Sequence, residues 1–310
     1  SKTYGGVFGF GAMLMSDYSL GVDIGGTFTD IVVYDHTTNQ QLNRKVLTTH
    51  DDPSRAVIDG AAHLLDAHKR DPAAFSRFVH AATLFTNALL ERKGAKTGLL
   101  TTAGFRDILE LAREVRYDIF DMFIRLPDPM VPRRLRLGVR ERVLANGTIL
   151  EPLAEADVRN AAAEFGAAGV EAIAVAFLHS YRDSSHERRA AEILREELPG
   201  VPVSLSHEVH PEPKEYERTS TTVIDAYVKG VAEGYLDQLS DGLKQRGYAN
   251  RLFVMLSNGG TATADTAKRV PVQIVESGPA AGVEAASYFG RLMDINQMLS
   301  FDMGGTTAKL

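Results

Sequence analysis

The sequence predicts an α/β fold, a mostly parallel sheet with helices on both faces. Two observations carry this. Apolar runs rich in β-branched residues alternate with stretches of helical periodicity from Leu20 to Leu205, the pattern of strand–helix–strand units. Glycine turns follow three of the strands, at Gly25-Gly26, Gly259-Gly260 and Gly304-Gly305, and strand ends are where open α/β sheets bind ligands.

The elements follow in order. Residues 20–24 read as the first strand, since Val22 and Ile24 suit a buried strand. Residues 31–34 are the second strand and 42–49 the third. Asp51-Asp52-Pro53 starts a helix, an Asp cap with Pro in the first turn, and Val57, Ala61, Leu64 and Leu65 continue it at helical spacing. Residues 78–83 form a strand, Thr86-Asn87 caps a helix that Gly94 ends, and residues 97–102 form another strand. Pro127, Pro129 and Pro132 mark an irregular segment. The basic run Arg133-Arg134-Leu135-Arg136 reads as a solvated edge or a subunit contact rather than a contact to an acidic ligand. Asn146-Gly147 is a hairpin signal.

Alternation then resumes. Residues 155–168 are a helix, 172–177 a buried strand, 184–198 a charged surface helix and 201–205 a strand that Pro202 places at an edge. These four make a subdomain beside the core. His207-Glu208-Val209-His210 lacks the spacing of a zinc-protease helix, and Pro211 and Pro213 argue against a helix. Glu208, His210 or Glu212 is expected beside the substrate instead. Residues 214–246 form a long helix. Its Arg218 either meets a phosphate or substrate carboxylate, or pairs with Glu215 or Glu217. Residues 252–256 run into the turn at Gly259. Gly278 opens a helix of small residues whose N-terminus suits anionic oxygens, although packing alone accounts for its alanines.

The chemistry lies in two of the turns. Asp23-Ile24-Gly25-Gly26-Thr27 and Asp302-Met303-Gly304-Gly305-Thr306 share the pattern Asp-x-Gly-Gly-Thr, each after a short apolar strand. Hairpin geometry alone explains one copy. Two copies far apart in sequence point to hairpins facing each other and holding a phosphate chain from both sides. Gly25 and Gly26 bring backbone N–H groups close to a ligand, and Thr27 and Thr29 add hydroxyls. Asp23, at the mouth of its turn, suits a hard cation such as Mg²⁺ held through water. The second Asp is then available to polarise an attacking group.

Composition narrows the classes. The chain has 310 residues, a net charge of −6 and no cysteine. Its acidity argues against nucleic acid or an anionic membrane as partner. Disulfides and thiolate metal sites are excluded, which fits a reducing, cytoplasmic setting. No apolar run approaches the ~20 residues that span a bilayer. Residues 1–18, rich in glycine and aromatics, read as a cloning remnant or a disordered leader.

The paired turns resemble the phosphate-1 and phosphate-2 loops of the actin, sugar kinase and Hsp70 ATPase superfamily. Further motifs are spaced as in the hydantoinase A / 5-oxoprolinase family: residues 80–92, Gly104-Phe105-Arg106-Asp107, Tyr216-Glu217-Arg218-Thr219, Ser257-Asn258-Gly259-Gly260 and Glu276-Ser277-Gly278-Pro279. The resemblance implies an actin-like ATPase (ribonuclease H-like) first lobe with an inserted α/β subdomain and a truncated second lobe. Residues 19–205 correspond to the family's N-terminal region, and 206–310 to the start of its catalytic region. It implies ATP and Mg²⁺ as cofactors, with Asp23 holding the metal. Gly25, Gly26, Thr27, Thr29, Gly304, Gly305, Thr306, Thr307, Gly259 and Gly278 would surround the nucleotide, and Asp302 would position the attacking oxygen. Lys309 either neutralises developing charge or is solvated.

The implied reaction is ring opening of a hydantoin, 5-oxoproline or lactam through phosphorylation of the carbonyl oxygen. A hydantoinase B-type partner subunit is implied, and a homo-oligomer is compatible. Alternatives are a ketone carboxylase subunit and a non-catalytic nucleotide-binding or assembly module. Leu84-Phe85 stands where small residues are usual and Asp225 where Asn is common, so the substrate pocket is expected to differ from the family's.

Overall fold

The computed structural model describes residues 18–115, 118–303 and 308–309. All of the expected leader except Tyr18 lies outside them. In chain order the first elements are β1 (Tyr18–Ile24), β2 (Phe28–Asp35), β3 (Gln40–Leu47), α1 (Pro53–Ala67), β4 (Phe75–Ala82), α2 (Leu84–Leu90), β5 (Thr97–Thr102), α3 (Ile108–Leu111), β6 (Arg136–Val139), β7 (Arg142–Val143) and β8 (Ile149–Glu151). Then come α4 (Glu155–Ala167), β9 (Ala172–Ala176), α5 (Ser185–Glu197), β10 (Val203–Leu205), α6 (Ser206–Val209), α7 (Glu215–Gln245), β11 (Leu252–Met255), β12 (Thr261–Thr263), α8 (Ala264–Arg269), α9 (Ser277–Leu292), β13 (Asp302–Met303) and β14 (Ala308–Lys309).

Two sheets organise these elements. The first has the order β12-β11-β4-β1-β2-β3. Its β1, β4 and β11 are parallel, while β2, β3 and β12 run antiparallel to their neighbours. It is therefore mixed rather than mostly parallel. The reason is chain length between strands: a tight turn joins only antiparallel neighbours, whereas parallel ones need a crossover. The second sheet, β10-β9-β5-β6, is wholly parallel. It takes in β5 and β6, so this unit begins near Thr97 rather than at Glu155. Edge strand β10 follows Pro202, as that proline predicts.

Local signals explain the starts of α1 and α2. Asp52 Oδ1 accepts the N–H of Ser54, with Pro53 leading α1. Helix α2 begins at Leu84, earlier than its Thr86-Asn87 pair suggests. Thr86 cannot cap it, because its hydroxyl donates to the Val275 carbonyl, and the Thr83 carbonyl accepts Asn87 N–H at 3.0 Å instead.

Helix α7 runs through both cores. It has 31 residues, or roughly 46 Å at the standard rise. Val223 and Ala226 pack with Leu99, Phe165 and Ile173 of the second sheet's core. Val228, Tyr235, Leu236 and Leu239 pack with Leu20, Val57 and Phe78 of the first. Between them, a Cβ on Gly94 would lie 2.1 Å from Cε1 of Tyr227. Gly94→Ala is therefore expected to displace a buried ring and cost about 1–3 kcal/mol. Urea denaturation checks this, and an unchanged midpoint refutes it.

Several charged residues predicted to be solvent-facing or ligand-facing lie inside. Arg136 of the basic run is 1% exposed and donates to the Val131 carbonyl at 2.8 Å, while Arg133 pairs with Asp107. Arg218 is also 1% exposed and, among the described residues, forms no direct ion pair with Glu215 or Glu217, although the Glu215 charge still acts on it. It donates to the carbonyls of Glu212 and Phe177, at 2.9 and 3.1 Å, and lies over the Tyr181 ring. Residues 206–209 form one helical turn, α6, because the prolines stop a helix only beyond them. His207 Nδ1 there meets Glu187 at 2.6 Å.

Candidate active site

The first hairpin is held from behind by its neighbours. Gly25 N–H donates to the Phe28 carbonyl at 2.8 Å and closes the turn. A Cβ on Gly25 would lie 3.1 Å from that same oxygen. Neither Gly25 nor Gly26 has positive φ, so the turn needs glycine for space, not for handedness. Thr48 donates its hydroxyl to the Gly25 carbonyl and its N–H to the Thr27 carbonyl, at 2.9 and 3.0 Å. Thr83 donates both N–H and hydroxyl to the Ile24 carbonyl. Gly26 and Thr27 are left exposed at the tip.

Thr29 has a different place from the one expected. It is fully buried, and its hydroxyl bonds Thr48 Oγ1 at 3.0 Å. It braces the hairpin through Thr48, with its hydroxyl enclosed in the interior rather than facing the exposed tip. Gly259 also serves geometry. Its φ is +84°, its N–H donates to the Leu256 carbonyl, and a Cβ there would lie 2.8 Å from Glu284 Oε1.

Asp23 and Gly278 come together, and the charge of Asp302 acts on Asp23. Ser277 is fully buried, and its hydroxyl accepts Ala82 N–H and donates to the Ala82 carbonyl. This pins the start of α9 to the end of β4. A Cβ on Gly278 would lie 2.9 Å from Cγ2 of Thr83 and 3.6 Å from Oδ1 of Asp23. The absence of a side chain thus lets the helix's first turn, its electropositive end, approach the carboxylate.

Asp23 faces Asp30 across the β1–β2 ladder, and Lys45 neutralises Asp30 at 2.7 Å. Asp23 is exposed by surface area, although protein crowds part of its carboxylate. Burial first, then the charges of Asp30 and Asp302, push its pKa up to about 6 against the pull of Lys45. Asp302 is exposed on β13, which pairs with β14 so that Asp302 faces Lys309. Gly304, Gly305, Thr306 and Thr307 lie outside the described residues.

The donor set fits a divalent ion of the Mg²⁺ type. Like charges surround Asp23 without full compensation, which a cation relieves. No cluster of three or more His, Asp, Glu or Cys suited to a metal occurs among the described residues. Mg²⁺ characteristically takes one or two carboxylates and completes its shell with water and phosphate. Because the ion needs the ionised carboxylate, Mg²⁺ affinity is expected to be full at about pH 8 and to fall as pH drops through about 6. Titration calorimetry across that range checks it, and a flat response refutes it.

On the α2 side the same turn borders a cleft of about 400 Å³. Its walls include Gly25, Gly26, Thr27, Leu84, Asn87 and Val231. Leu84 does face this space, but its neighbour Phe85 is fully buried in the core. Asp225 is also interior and away from the cleft. It accepts from Ser204 Oγ at 2.7 Å and Val272 N–H at 3.1 Å, and so ties the second sheet to the segment before α9. Glu208, His210 and Glu212 are not among the cleft's walls.

Sequence reasoning missed a buried acidic pair, Glu141 and Glu187. Glu187 accepts from Phe177 N–H, Ser206 Oγ and His207 N–H at 2.6 to 3.0 Å. Glu141 meets His186 at 2.8 Å and also receives the Thr102 hydroxyl. The signal was present. His186, Ala190 and Ile193, like Glu187, Ala191 and Leu194, repeat at helical spacing, which places the charges on the apolar stripe.

These features define an α/β fold of the actin-like ATPase class, with an acidic, glycine-cornered hairpin at its centre. Comparison with known proteins places the chain more narrowly. The hydantoinase/oxoprolinase N-terminal region model matches residues 19–198, and the hydantoinase/oxoprolinase model matches 218–310. The chain belongs to the hydantoinase/oxoprolinase family.

It is 36% identical over 301 residues to the caprolactamase subunit alpha of Pseudomonas jessenii, covering 95% of this chain and 43% of that protein. The crystal structure of the ATP-dependent caprolactamase from that organism superimposes with a TM-score of 0.81 and 34% identity, covering 94% of this chain and 43% of that one. A nucleotide-free acetone carboxylase structure, from work on ATP-dependent acetone carboxylation, gives 0.86 and 31% identity over the same shares. The chain thus spans under half the length of these relatives.

Proposed function

We propose that this chain is the ATP-binding part of an enzyme that opens a cyclic amide by phosphorylating its carbonyl oxygen. The observation that carries the reading is the setting of Asp23. The first turn of α9 approaches the Asp23 carboxylate, and the charge of Asp302 acts on that carboxylate, beside a turn whose tip is exposed. Mg²⁺–ATP, when bound, supplies a phosphoryl group that turns a poor amide electrophile into one with a good leaving group.

The chain's own residues do the rest. Asp23 holds the metal through water. Gly26 and Thr27, exposed at the tip of the turn, present backbone N–H groups and a hydroxyl to phosphate oxygens. Gly278 leaves room for the phosphates beside α9. Asp302 orients the attacking oxygen. The ATP dependence and cyclic substrate named for the caprolactamase support this reading, and its subunit nomenclature supports a partner chain, which we assign to the hydantoinase B type. An intracellular setting suits an ATP consumer.

The test is phosphate release by the whole gene product with Mg²⁺–ATP, its partner subunit and a panel of cyclic amides. Release that depends on the amide supports the proposal, and failure to bind Mg²⁺–ATP overturns it. The likeness to acetone carboxylase favours a second reading, activation of a ketone or bicarbonate. Dependence of phosphate release on bicarbonate would select it.

A further inference from the structure

The cleft on the α2 side of the hairpin has a property that phosphate binding does not use. Asn87, in the middle of α2, lines it together with Gly26, and its Nδ2 lies 3.6 Å from where a Cβ on Gly26 would be. Thr83, Thr86 and Thr48 spend their hydroxyls on backbone carbonyls. The Asn87 carboxamide makes no hydrogen bond within the protein among the described residues, so a donor and an acceptor stand side by side in a concave space. Beside them Leu84, Ala88 and Val231 give the cleft apolar walls. The volume, about 400 Å³, is at the small end of the range for small-molecule sites.

We infer that this cleft seats the ring substrate and that Asn87 reads its amide edge through two antiparallel hydrogen bonds. The inference rests on the phosphorylation reading above and goes on to name the residue that selects the substrate. A small ring forces its amide cis, so N–H and C=O point the same way. A primary carboxamide offers the matching C=O and N–H. Asn87 Oδ1 accepts from the ring N–H, and Asn87 Nδ2 donates to the ring carbonyl. The ring methylenes lie against Leu84, Ala88 and Val231. The carbonyl is thereby held at the Gly26–Thr27 edge, next to the Thr83 contact that joins the cleft to Gly278 and Asp23. Asn87 is a specificity residue that touches the substrate, and a ketone of the same shape satisfies only half of it.

The experiment compares 2-pyrrolidone with its isostere cyclopentanone, which lacks the N–H, and with N-methyl-2-pyrrolidone, in which a methyl replaces the N–H hydrogen. Calorimetry measures their binding to the wild type, Asn87→Asp and Asn87→Leu, with Mg²⁺–ATP binding measured in parallel. In the wild type, 2-pyrrolidone is expected to bind about tenfold or more tightly than either other probe, the worth of one buried hydrogen bond. Asn87→Leu should erase that preference while retaining Mg²⁺–ATP binding. Asn87→Asp, which keeps the shape but loses the donor, should weaken 2-pyrrolidone as well.

Equal binding of the three probes by the wild type overturns the inference, as does a preference that survives Asn87→Leu. So does the absence of ring binding while Mg²⁺–ATP still binds, a result that leaves the phosphate site standing. Ring selectivity without Mg²⁺–ATP binding supports the amide reader and removes the phosphate reading instead.

Discussion

Asp23→Asn is expected to lower ATP-dependent turnover by roughly 100-fold or more while making the metal-free protein slightly sturdier. Both effects have one cause. The site concentrates negative charge where a cation and phosphates must sit, so the empty protein bears the repulsion. Burial, Asp30 and Asp302 raise the folded-state pKa to about 6. The contribution of a raised group is fully present below its unfolded value, near 4, and is lost as pH rises through about 6. At pH about 8, then, ionised Asp23 opposes folding, and neutral Asn relieves it. Thermal melts with and without Mg²⁺ test this. The wild type should gain stability from Mg²⁺ by mass action, and the variant should start higher and gain little. A variant that melts lower than the metal-free wild type at that pH would show that Asp23 is structural.

Glu187→Ala is expected to destabilise the fold by about 3–5 kcal/mol, the largest stability effect among the side chains at the end of the second sheet. The carboxylate gathers Phe177 N–H, His207 N–H, His207 Nδ1 and Ser206 Oγ. It also offsets the charge of Arg218, whose pKa burial pulls down. Removing it strands several buried polar groups and a buried cation together. Guanidinium denaturation measures the loss. Glu192→Ala on the same helix is the control, because Glu192 is exposed and its ion pair among the described residues is with Arg189 across one turn, a contact worth under about 1 kcal/mol. Equal effects for the two substitutions would refute the assignment.

The contrast between those two glutamates explains what the sequence could and could not disclose. The hairpin was legible because its signals are local: β-branched strand residues, a glycine pair and an Asp within a few positions. The cap of α1 was legible for the same reason. Arg218 and Asp225 were not, because each takes partners remote in sequence, and Arg136 was not, because only the finished fold buries it beside the Val131 carbonyl. Arg218 reaches the Phe177 carbonyl, and Asp225 reaches Ser204 and Val272. A charged residue reads as solvent-facing until the chain that surrounds it is in place. Thr29 misled in the opposite way. It alternates with Phe28 along β2, so the pleat turns it inward, and periodicity alone could have assigned it to the interior.

The long α7 has a consequence for how the gene can be divided. A cut between residues 205 and 206 looks natural by sequence, since a compact run of strands and helices ends there. Yet the rod that closes both hydrophobic interiors is encoded wholly downstream of that cut. The upstream piece would carry two half-built interiors and no means of sealing either, so the halves should have to be supplied together to regain a folded state.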